Sequence, residues 1–469
     1  MTTPPRSIQE ALTYVESHLD QTLDSLKELA RIPGISANKP PDPDVQASAK
    51  AVAAWAERAG LENVEVLQLD GVHPYVYADW LHAADAPTVL LYAHHDVQPP
   101  GQVAGWTSPP FEPEIRDGRL YGRGVVDDKA GAAIHFAAIE AYLRNGGLPL
   151  NLRLVVDGEE ELGSEHLSEF LSTFRDRLRA DALVLTDTAN LAAGLPSITV
   201  GLRGIVVVDL EVQAIDHPLH SGIFGGPVPD ATLALCKLLA RLTDDDGRLA
   251  IDGAYDAVRP LSEQQRAAIR DLPFDEQEFR KAAGVLDGVA LAGEPGCTVY
   301  EMMWHRPAVA ISALEAAPLE GAPNQIVPSA RARIGIRTVP DMDERKVAED
   351  LCRFLAADPP WGVKVRTRIQ ATGGSWAASP DGPVFEAAAR ALQAGFGTAP
   401  VHIGCGGSIP FVEPFAAALG GVPAVLIGLE DPECNAHGLD ESLLLSDFVK
   451  SLKSAVHLYA ELAASTPKR

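Results

Sequence analysis

Histidine and acidic residues follow several predicted strands of this chain, and side chains of these types can bind metal ions and activate water. The clusters are, in chain order, Ala93-His94-His95-Asp96, Gly122 to Lys129, Asp157 to Ser164, Thr186-Asp187-Thr188 and Asn435 to Glu441. Open α/β sheets place their ligands beyond the carboxyl ends of strands. Two histidines and several carboxylates, without a cysteine, suit two divalent ions such as Zn²⁺ or Mn²⁺. One carboxylate would bridge the ions, and one glutamate would remain as a base.

Each cluster also has a structural explanation. The alternatives are a core histidine for His94, a helix cap for Asp127 and Asp128, a solvated turn for the three glutamates Glu159 to Glu161, a turn residue for Asp187 and a loop histidine for His437. Along an extended chain His94 and Asp96 point the same way, so Asp96 could orient the His94 ring. His95 would point the other way, and we expect it to be structural.

The elements that must position these side chains alternate between strands and helices. Apolar runs predict strands at Val64-Leu67, Tyr75-Trp80, Thr88-Tyr92, Leu152-Val156, Ala182-Thr186 and Ala424-Ile427. Helical spacing predicts a helix behind the capping box Ser7-Ile8-Gln9-Glu10 through about Arg31, and further helices at Lys129-Arg144, Pro383-Gly395 and Glu441-Ala464. This alternation predicts an α/β domain with a mixed twisted sheet covered by helices on both faces.

The pattern changes after Gly201. Strands are predicted at Val206-Val212, Val309-Ala313, Ala332-Thr338 and Val363-Ile369, with helices at Asp230-Leu242 and Glu344-Ala356. Two helices among four strands predict a smaller α+β domain of the split βαβ type. The charged stretch Thr243-Pro295 is interpreted as a helix-rich insertion. We therefore predict one discontinuous domain, residues 1–202 and 374–469, interrupted by a second domain, residues 203–373.

Composition limits the partners. The chain of 469 residues carries 64 acidic and 39 basic side chains, a formal charge of −25. This excess argues against nucleic acid or an anionic membrane as a partner. The five cysteines are scattered without a C-x-x-C pair, which argues against a disulfide framework and favours a reducing compartment. With no apolar signal segment and no apolar run long enough to span a bilayer, a cytoplasmic protein is expected.

The order and spacing of these motifs resemble a known family. It is the di-zinc metallopeptidase family of carnosinases, bacterial dipeptidases, glutamate carboxypeptidases, aminoacylases and succinyl-diaminopimelate desuccinylases. The resemblance covers nearly the whole chain, including the interrupting domain. It implies hydrolysis by a hydroxide that bridges two metal ions, Zn²⁺ foremost and Mn²⁺ or Co²⁺ as alternatives.

The resemblance implies a role for each residue of the metal site. His94 and Asp187 match ligands of the first metal, Glu161 and His437 match ligands of the second, and Asp127 matches the bridging carboxylate. Asp96 matches the residue that orients His94. Glu160 matches the general base, while Glu159 falls outside the motif and is expected to be a solvated neighbour. The peptide bond between Asp127 and Asp128 is typically cis in relatives.

The resemblance also implies residues that bind substrate. His220, in His220-Ser221-Gly222, matches an oxyanion donor that reaches the neighbouring subunit's site in dimeric relatives, which implies a homodimer. Arg337 and Ser408 match groups that bind the substrate carboxylate, and Asn324 matches a donor to the substrate backbone. Each residue also has a structural alternative. These are a turn histidine for His220, a surface arginine for Arg337, a helix cap for Ser408 and a turn asparagine for Asn324.

Within the family, the chain is most similar to the dipeptidase branch. The segments Tyr92 to Pro99 and Asp127-Asp128-Lys129 favour that branch, as does the long interrupting domain, which matches the lid/dimerisation domain of dipeptidases. Ala93, Ala130 and Asp157 depart from the common pattern without replacing a ligand. We therefore predict cleavage of dipeptides or short peptides with a free carboxyl terminus. The alternatives are an N-acyl-amino-acid deacylase or carboxypeptidase, and a non-catalytic metal-dependent binding protein.

Overall fold

The computed structural model describes residues 8–407 and 412–467. Within them the chain forms two compact units. The first contains residues 8–200, 378–403 and 412–467, and the second contains residues 201–377 and 404–407. Two residues that the sequence singled out, Ser7 of the predicted capping box and Ser408, lie outside the described residues.

A mixed sheet forms the centre of the first unit. Its strands lie in the order Glu62–Leu67, Tyr75–Trp80, Asn151–Asp157, Thr88–His94, Ala182–Leu185, Ala424–Leu426 and Ser197–Leu202. Four of them are parallel, from Asn151–Asp157 through Ala424–Leu426, and the flanking strands are antiparallel. Because parallel strands end at the same edge of a sheet, the residues that follow Thr88–His94, Asn151–Asp157 and Ala182–Leu185 converge there.

Helices cover both faces of this sheet. On one face Val89 and Leu91 belong to the apolar core shared with the helices Pro43–Ala59 and Lys129–Arg144. On the other face the ring of Tyr92 lies edge-on to Phe415 and that of Tyr75 stacks on Phe170, at centroid distances of 5.8 and 4.0 Å. This alternation confirms the α/β prediction.

The remaining elements of the first unit surround this sheet. Its other helices are Ile8–Ser17, Leu19–Ala30, Leu167–Thr173, Arg175–Leu178, Pro383–Phe396, Val412–Ala418 and Leu445–Ser465. A separate small sheet contains Glu114–Arg116, Arg119–Tyr121 and Ser442–Leu444, and short 3₁₀ turns occur at Val103–Gly105 and Glu160–Leu162. The strand Val401–Cys405 begins in this unit.

The second unit is built on an antiparallel sheet of four strands. Their order is Ala308–Glu315, Ser329–Thr338, Gly204–Gln213 and Lys364–Gly373. The helices Ala231–Ala240 and Glu344–Ala356 pack on one face through an apolar core. In chain order this is strand, helix, two strands, helix and strand, which confirms the predicted split βαβ pattern. Its smaller elements are Leu219–His220, Ser221–Phe224, Glu263–Arg270, Glu276–Ala282, Val299–His305, Gln325–Ile326, Pro360–Gly362 and Trp376–Ala377.

Two of the predicted helices differ from the structure by more than a residue or two at their ends. The first is divided into Ile8–Ser17 and Leu19–Ala30. The last begins at Leu445 rather than Glu441, because Ser442–Leu444 pairs as a strand with Arg119–Tyr121. As a result Glu441 lies in the interior, before that strand, instead of at a helix terminus. Across residues 8–407 and 412–467, no helix combines the length and hydropathy needed to cross a bilayer.

Candidate metal centre

Three parallel strands and two loops bring the candidate ligands together. His94 is the last residue of Thr88–His94, Glu160 and Glu161 follow Asn151–Asp157 in a short 3₁₀ turn, and Asp187 follows Ala182–Leu185. Asp127 precedes the helix Lys129–Arg144, and its peptide bond to Asp128 is cis, as the resemblance implies. His437 lies in the loop before Ser442–Leu444.

These side chains form two groups that share Asp127. In the first group, His94 Nε2 lies 2.9 Å from Asp127 Oδ1 and 3.5 Å from Asp187 Oδ1. In the second, His437 Nε2 lies 2.9 Å from Asp127 Oδ2 and 3.1 Å from Glu161 Oε2. The ligand atoms of each group lie within 4.8 Å of one another. One oxygen of Asp127 therefore faces each group, which is the arrangement that a bridging carboxylate requires.

Asp96 contacts both a candidate ligand and the segment that carries the candidate base. His94 Nδ1 lies 3.1 Å from the main-chain oxygen of Asp96 and 3.4 Å from its Oδ1. The same carboxylate accepts hydrogen bonds from the backbone N–H groups of Glu160 and Glu161, at 3.2 and 3.1 Å. Asp96 is fully buried, so these contacts fix its orientation as well as theirs.

Gln98 is a contact of the candidate site that the sequence analysis missed. Its backbone N–H and its side-chain Nε2 donate to the two oxygens of Glu161, at 3.1 and 2.8 Å. These bonds orient the Glu161 carboxylate toward His437. Gln98 lies only two residues after Asp96, in the segment that favoured the dipeptidase branch, but its residue type carried no signal of this contact.

The charge distribution of the cluster is strongly negative. Burial, followed by the negative charge of Asp187, raises the pKa of Glu160 well above its ordinary value. Burial and the charge of Asp127 raise the pKa of Glu161 to about 6. Hydrogen bonds to Asp127 and Glu161 raise the pKa of His437 to about 11. Carboxylates held this close together need a compensating cation or proton.

The residues fit two divalent cations. Each group offers one imidazole nitrogen and carboxylate oxygens, a donor set that Zn²⁺, Mn²⁺ and Co²⁺ accept. The two groups meet at a shared carboxylate, and the buried negative charge around them is what divalent ions would balance. Glu160 is a member of neither group, and its Oε2 lies 4.0 Å from His94 Nε2. A carboxylate beside the ions but outside their ligand sets is suited to proton transfer.

The carboxylates of Glu159 and Asp128 have different environments from those that the sequence suggested. Glu159 was expected to be solvated, but it is 2 % exposed and accepts hydrogen bonds from the hydroxyl of Tyr75 at 2.7 Å and from His166. It therefore anchors the turn that carries Glu160. Asp128 makes no capping bond to the helix that follows it, and its Oδ2 instead accepts from the backbone N–H of His94 at 3.3 Å.

Three of the predicted substrate-binding residues, His220, Asn324 and Arg337, lie in the second unit. His220 and Asn324 are exposed on neighbouring segments, where the Asn324 carbonyl accepts from the N–H and Oγ of Ser221 at 3.1 and 2.9 Å. Arg337 lies in Ser329–Thr338 beside Ile205. Burial, followed by the positive charge of Arg337, lowers the pKa of Arg203 to about 10.

Comparisons with known proteins agree with this geometry. Residues 90–465 match the model of peptidase family M20/M25/M40. The chain belongs to this family. It is 34% identical to a cysteinylglycine-S-conjugate dipeptidase from Corynebacterium striatum over 84% of this chain and 85% of that protein. It is 28% identical to the Cys-Gly metallodipeptidase DUG1 from Saccharomyces cerevisiae, over 98% and 99% of the two chains.

A solved structure extends the similarity to three dimensions. Human carnosine dipeptidase 1 superposes with a TM-score of 0.83 at 27% identity, covering 98% of this chain and 100% of that one. The predicted family and its dipeptidase branch are therefore confirmed, and the chain is a metallopeptidase of that branch. The roles of the individual site residues stay predictions, which the geometry above supports.

Proposed function

We propose that this M20 enzyme hydrolyses the peptide bond of dipeptides or short peptides that carry a free carboxyl terminus. The observation that carries the proposal is the pair of ligand groups joined at Asp127, with Glu160 beside them and outside both. Its relatives support the substrate class. Those described above are named for Cys-Gly, for cysteinylglycine S-conjugates and for carnosine, which differ in their side chains. Recognition of the dipeptide backbone and its termini is the feature such substrates share.

In this proposal the ligand groups hold Zn²⁺, or alternatively Mn²⁺ or Co²⁺. His94, Asp127 and Asp187 would hold one ion, and Asp127, Glu161 and His437 the other. Bound ions supply Lewis acidity at neutral pH. Glu160 accepts the proton of the attacking water and returns it to the nitrogen of the departing amine.

The residues proposed to bind substrate are those that the family resemblance implies. A guanidinium such as that of Arg337 can bind a terminal carboxylate in a bidentate manner. Arg203, whose pKa burial and the charge of Arg337 lower, adds a second positive charge. Two close guanidinium groups are stabilised when an anion is placed between them. The amide of Asn324 is proposed to donate to the substrate backbone. Ser408 keeps its predicted role in carboxylate binding.

A panel of blocked substrates tests the proposed function. Metal-loaded enzyme should cleave an unblocked dipeptide such as Ala-Ala to two free amino acids. Amidation of the carboxyl terminus should lower kcat/KM by about 10- to 100-fold, because a charge-assisted bond to arginine is lost. Preference for N-acetyl or N-succinyl amino acids over the dipeptide would indicate a deacylase instead. Binding of the dipeptide without product release would contradict the proposal.

We also propose that the enzyme is a homodimer and that His220 acts in the active site of the neighbouring subunit. The Nδ1 of His220 accepts a hydrogen bond from the N–H of Gly222 at 3.1 Å. A neutral ring in this state carries its proton on Nε2, so that nitrogen can donate to an oxyanion. The exposure of the segment makes it accessible to a second chain.

Mixing two inactive variants tests the contribution of His220 in trans. Glu160→Gln and His220→Ala are each expected to be inactive. A dimer with one chain of each contains one site with both wild-type residues if His220 acts across the interface. Equal mixing by refolding or coexpression should then recover about a quarter of wild-type activity, because half of the random dimers are mixed. If the mixture stays inactive although mixed dimers form, His220 does not act in trans.

The cytoplasmic location predicted from the sequence remains part of the proposal. It would place the enzyme where dipeptides are converted to free amino acids in a reducing environment. Nucleic acids and membrane surfaces are not proposed as partners, since the charge of −25 disfavours association with either anionic surface.

A further inference from the structure

A buried ion pair lies behind the candidate metal ligands and is not explained by their chemistry. Arg123 is 2 % exposed and Glu441 is fully buried, and Arg123 Nη1 donates to Glu441 Oε2 at 2.6 Å. The two residues are 318 positions apart in the chain. A charge pair in the interior is no guarantee of stability, since desolvation opposes its formation. The role of the pair is therefore inferred from the groups that it contacts, and not from the fact that it is buried.

Glu441 binds the loop that carries Asp127. Its Oε2 also accepts from the N–H of Gly124 at 3.0 Å, and its Oε1 accepts from the N–H groups of Val126 and Asp127 at 3.1 and 3.3 Å. Its main-chain oxygen accepts from the N–H of Gly122 at 2.9 Å. The side chain is thus surrounded by four donors, and only a group that accepts at both ends satisfies them all.

Arg123 extends the connection to the loop that carries His437. Its Nη2 donates to the main-chain oxygen of Gly438 at 3.0 Å and lies 3.4 Å from that of Pro99. Gly438 follows His437 directly, and Pro99 follows Gln98, whose two bonds orient Glu161. The guanidinium lies 5.4 Å from the ring centroid of Trp106, which limits its movement on that side. The planar Arg123 guanidinium, which has several N–H donors, thereby contacts the segments of Gly438 and Pro99, and both segments support the second ligand group.

We propose that Arg123 and Glu441 are positioning residues that hold the loops of Asp127 and His437 at the spacing needed for the second metal ion. This inference rests on the proposed two-ion function and deepens it. Neither residue touches the ligand atoms, so the pair acts through the backbone. Groups that orient ligands in this way typically change metal affinity by about 10- to 100-fold when altered.

Arg123→Lys is the most informative variant. Lysine keeps the positive charge next to Glu441, but one ammonium group cannot reproduce the fork that also reaches Gly438. We expect the affinity for the second Mn²⁺ to fall by about 10- to 100-fold, with the first ion bound as in wild type. Saturating Mn²⁺ should restore most of kcat. Glu441→Gln places the NH₂ donor of an amide against backbone N–H donors. It should therefore lower the affinity for the second ion further.

The chain offers a matched control in a second ion pair, in which Asp431 is buried and Arg119 is partly buried. Arg119 Nη2 donates to Asp431 Oδ2 at 2.6 Å, and Arg119 Nε donates to Ser442 Oγ at 2.9 Å. Asp431 lies at the start of the loop that carries His437, where its Oδ1 accepts from the N–H of Glu433 at 2.9 Å. In the contacts described, this pair reaches neither Gly438 nor the backbone N–H groups of residues 124–127. Asp431→Asn should lower the temperature of unfolding while leaving both Mn²⁺ affinities unchanged.

The positioning role of Arg123 and Glu441 is tested by titrating Mn²⁺ into the metal-free protein. The free ion is measured by electron paramagnetic resonance. A lower affinity for the second ion alone in Arg123→Lys, with unchanged affinities in Asp431→Asn, supports the proposal. Unchanged affinities in Arg123→Lys, or equal weakening in Asp431→Asn, would overturn it while leaving the two-ion function intact. A wild-type chain that binds fewer than two ions would overturn the proposed function itself.

Discussion

Replacing Glu160 with glutamine is expected to lower kcat for dipeptide hydrolysis by about 10²- to 10⁴-fold with little change in metal content. The amide keeps the size of the side chain but cannot accept the proton of the attacking water. Glu160 belongs to neither ligand group, so both ions should still bind. Steady-state release of amino acids and metal analysis on the same sample measure the two effects.

Glu165→Gln is the matched control for this variant. Glu165 is an exposed glutamate five residues further along the same segment. The control should keep wild-type kcat, KM and metal content. If Glu160→Gln retained full activity with both ions bound, proton transfer by Glu160 would be refuted. Loss of the ions in Glu160→Gln would instead assign Glu160 to a ligand group.

The second large effect is expected for Asp127→Ala, which should abolish binding of both ions at concentrations that saturate the wild type. The two Asp127 oxygens lie 2.9 Å from His94 Nε2 and 2.9 Å from His437 Nε2, so both groups lose a ligand at once. The affinity loss should exceed the 100-fold typical of groups that only orient ligands. Activity should fall to that of the metal-free protein. Metal per chain after dialysis, measured by mass spectrometry, checks this expectation.

Asp187→Ala and His437→Ala serve as controls for the shared role of Asp127. Each removes one ligand from a single group, so each should leave the other group intact and retain about one ion per chain. A bridging role for Asp127 is contradicted if Asp127→Ala retains as much metal as either of these variants.

Much of the fold follows from local patterns in the sequence. Strands such as Tyr75–Trp80 and helices such as Lys129–Arg144 and Glu344–Ala356 have the predicted bounds, since their apolar residues recur with a clear period. The final helix begins later than predicted because Ser442–Leu444 pairs with a strand more than 300 residues away. Periodicity within a window carries no information about such a partner.

The candidate site shows the same division between local and distant contacts. His94, Asp127 and Glu161 follow or precede recognisable elements, and the structure brings them together as their order in the chain suggests. Of the contacts that orient them, the sequence predicted the one between Asp96 and His94, but not those that involve distant parts of the chain. Glu159 looked like part of a solvated acidic turn, and its burial depends on the distant hydroxyl of Tyr75. Glu441 is satisfied by donors from a loop that the sequence places far away.

A metal titration of the dipeptidase reaction tests directly whether two bound ions are required for peptide hydrolysis. Metal-free protein is mixed with an unblocked dipeptide and increasing Zn²⁺ or Mn²⁺, and the released free amino acids are quantified by mass spectrometry. We expect no hydrolysis without metal, equal amounts of the two amino acids once metal is added, and a plateau at two ions per chain. Full activity of the metal-free protein, a plateau at one ion, or no cleavage at two ions per chain would contradict it.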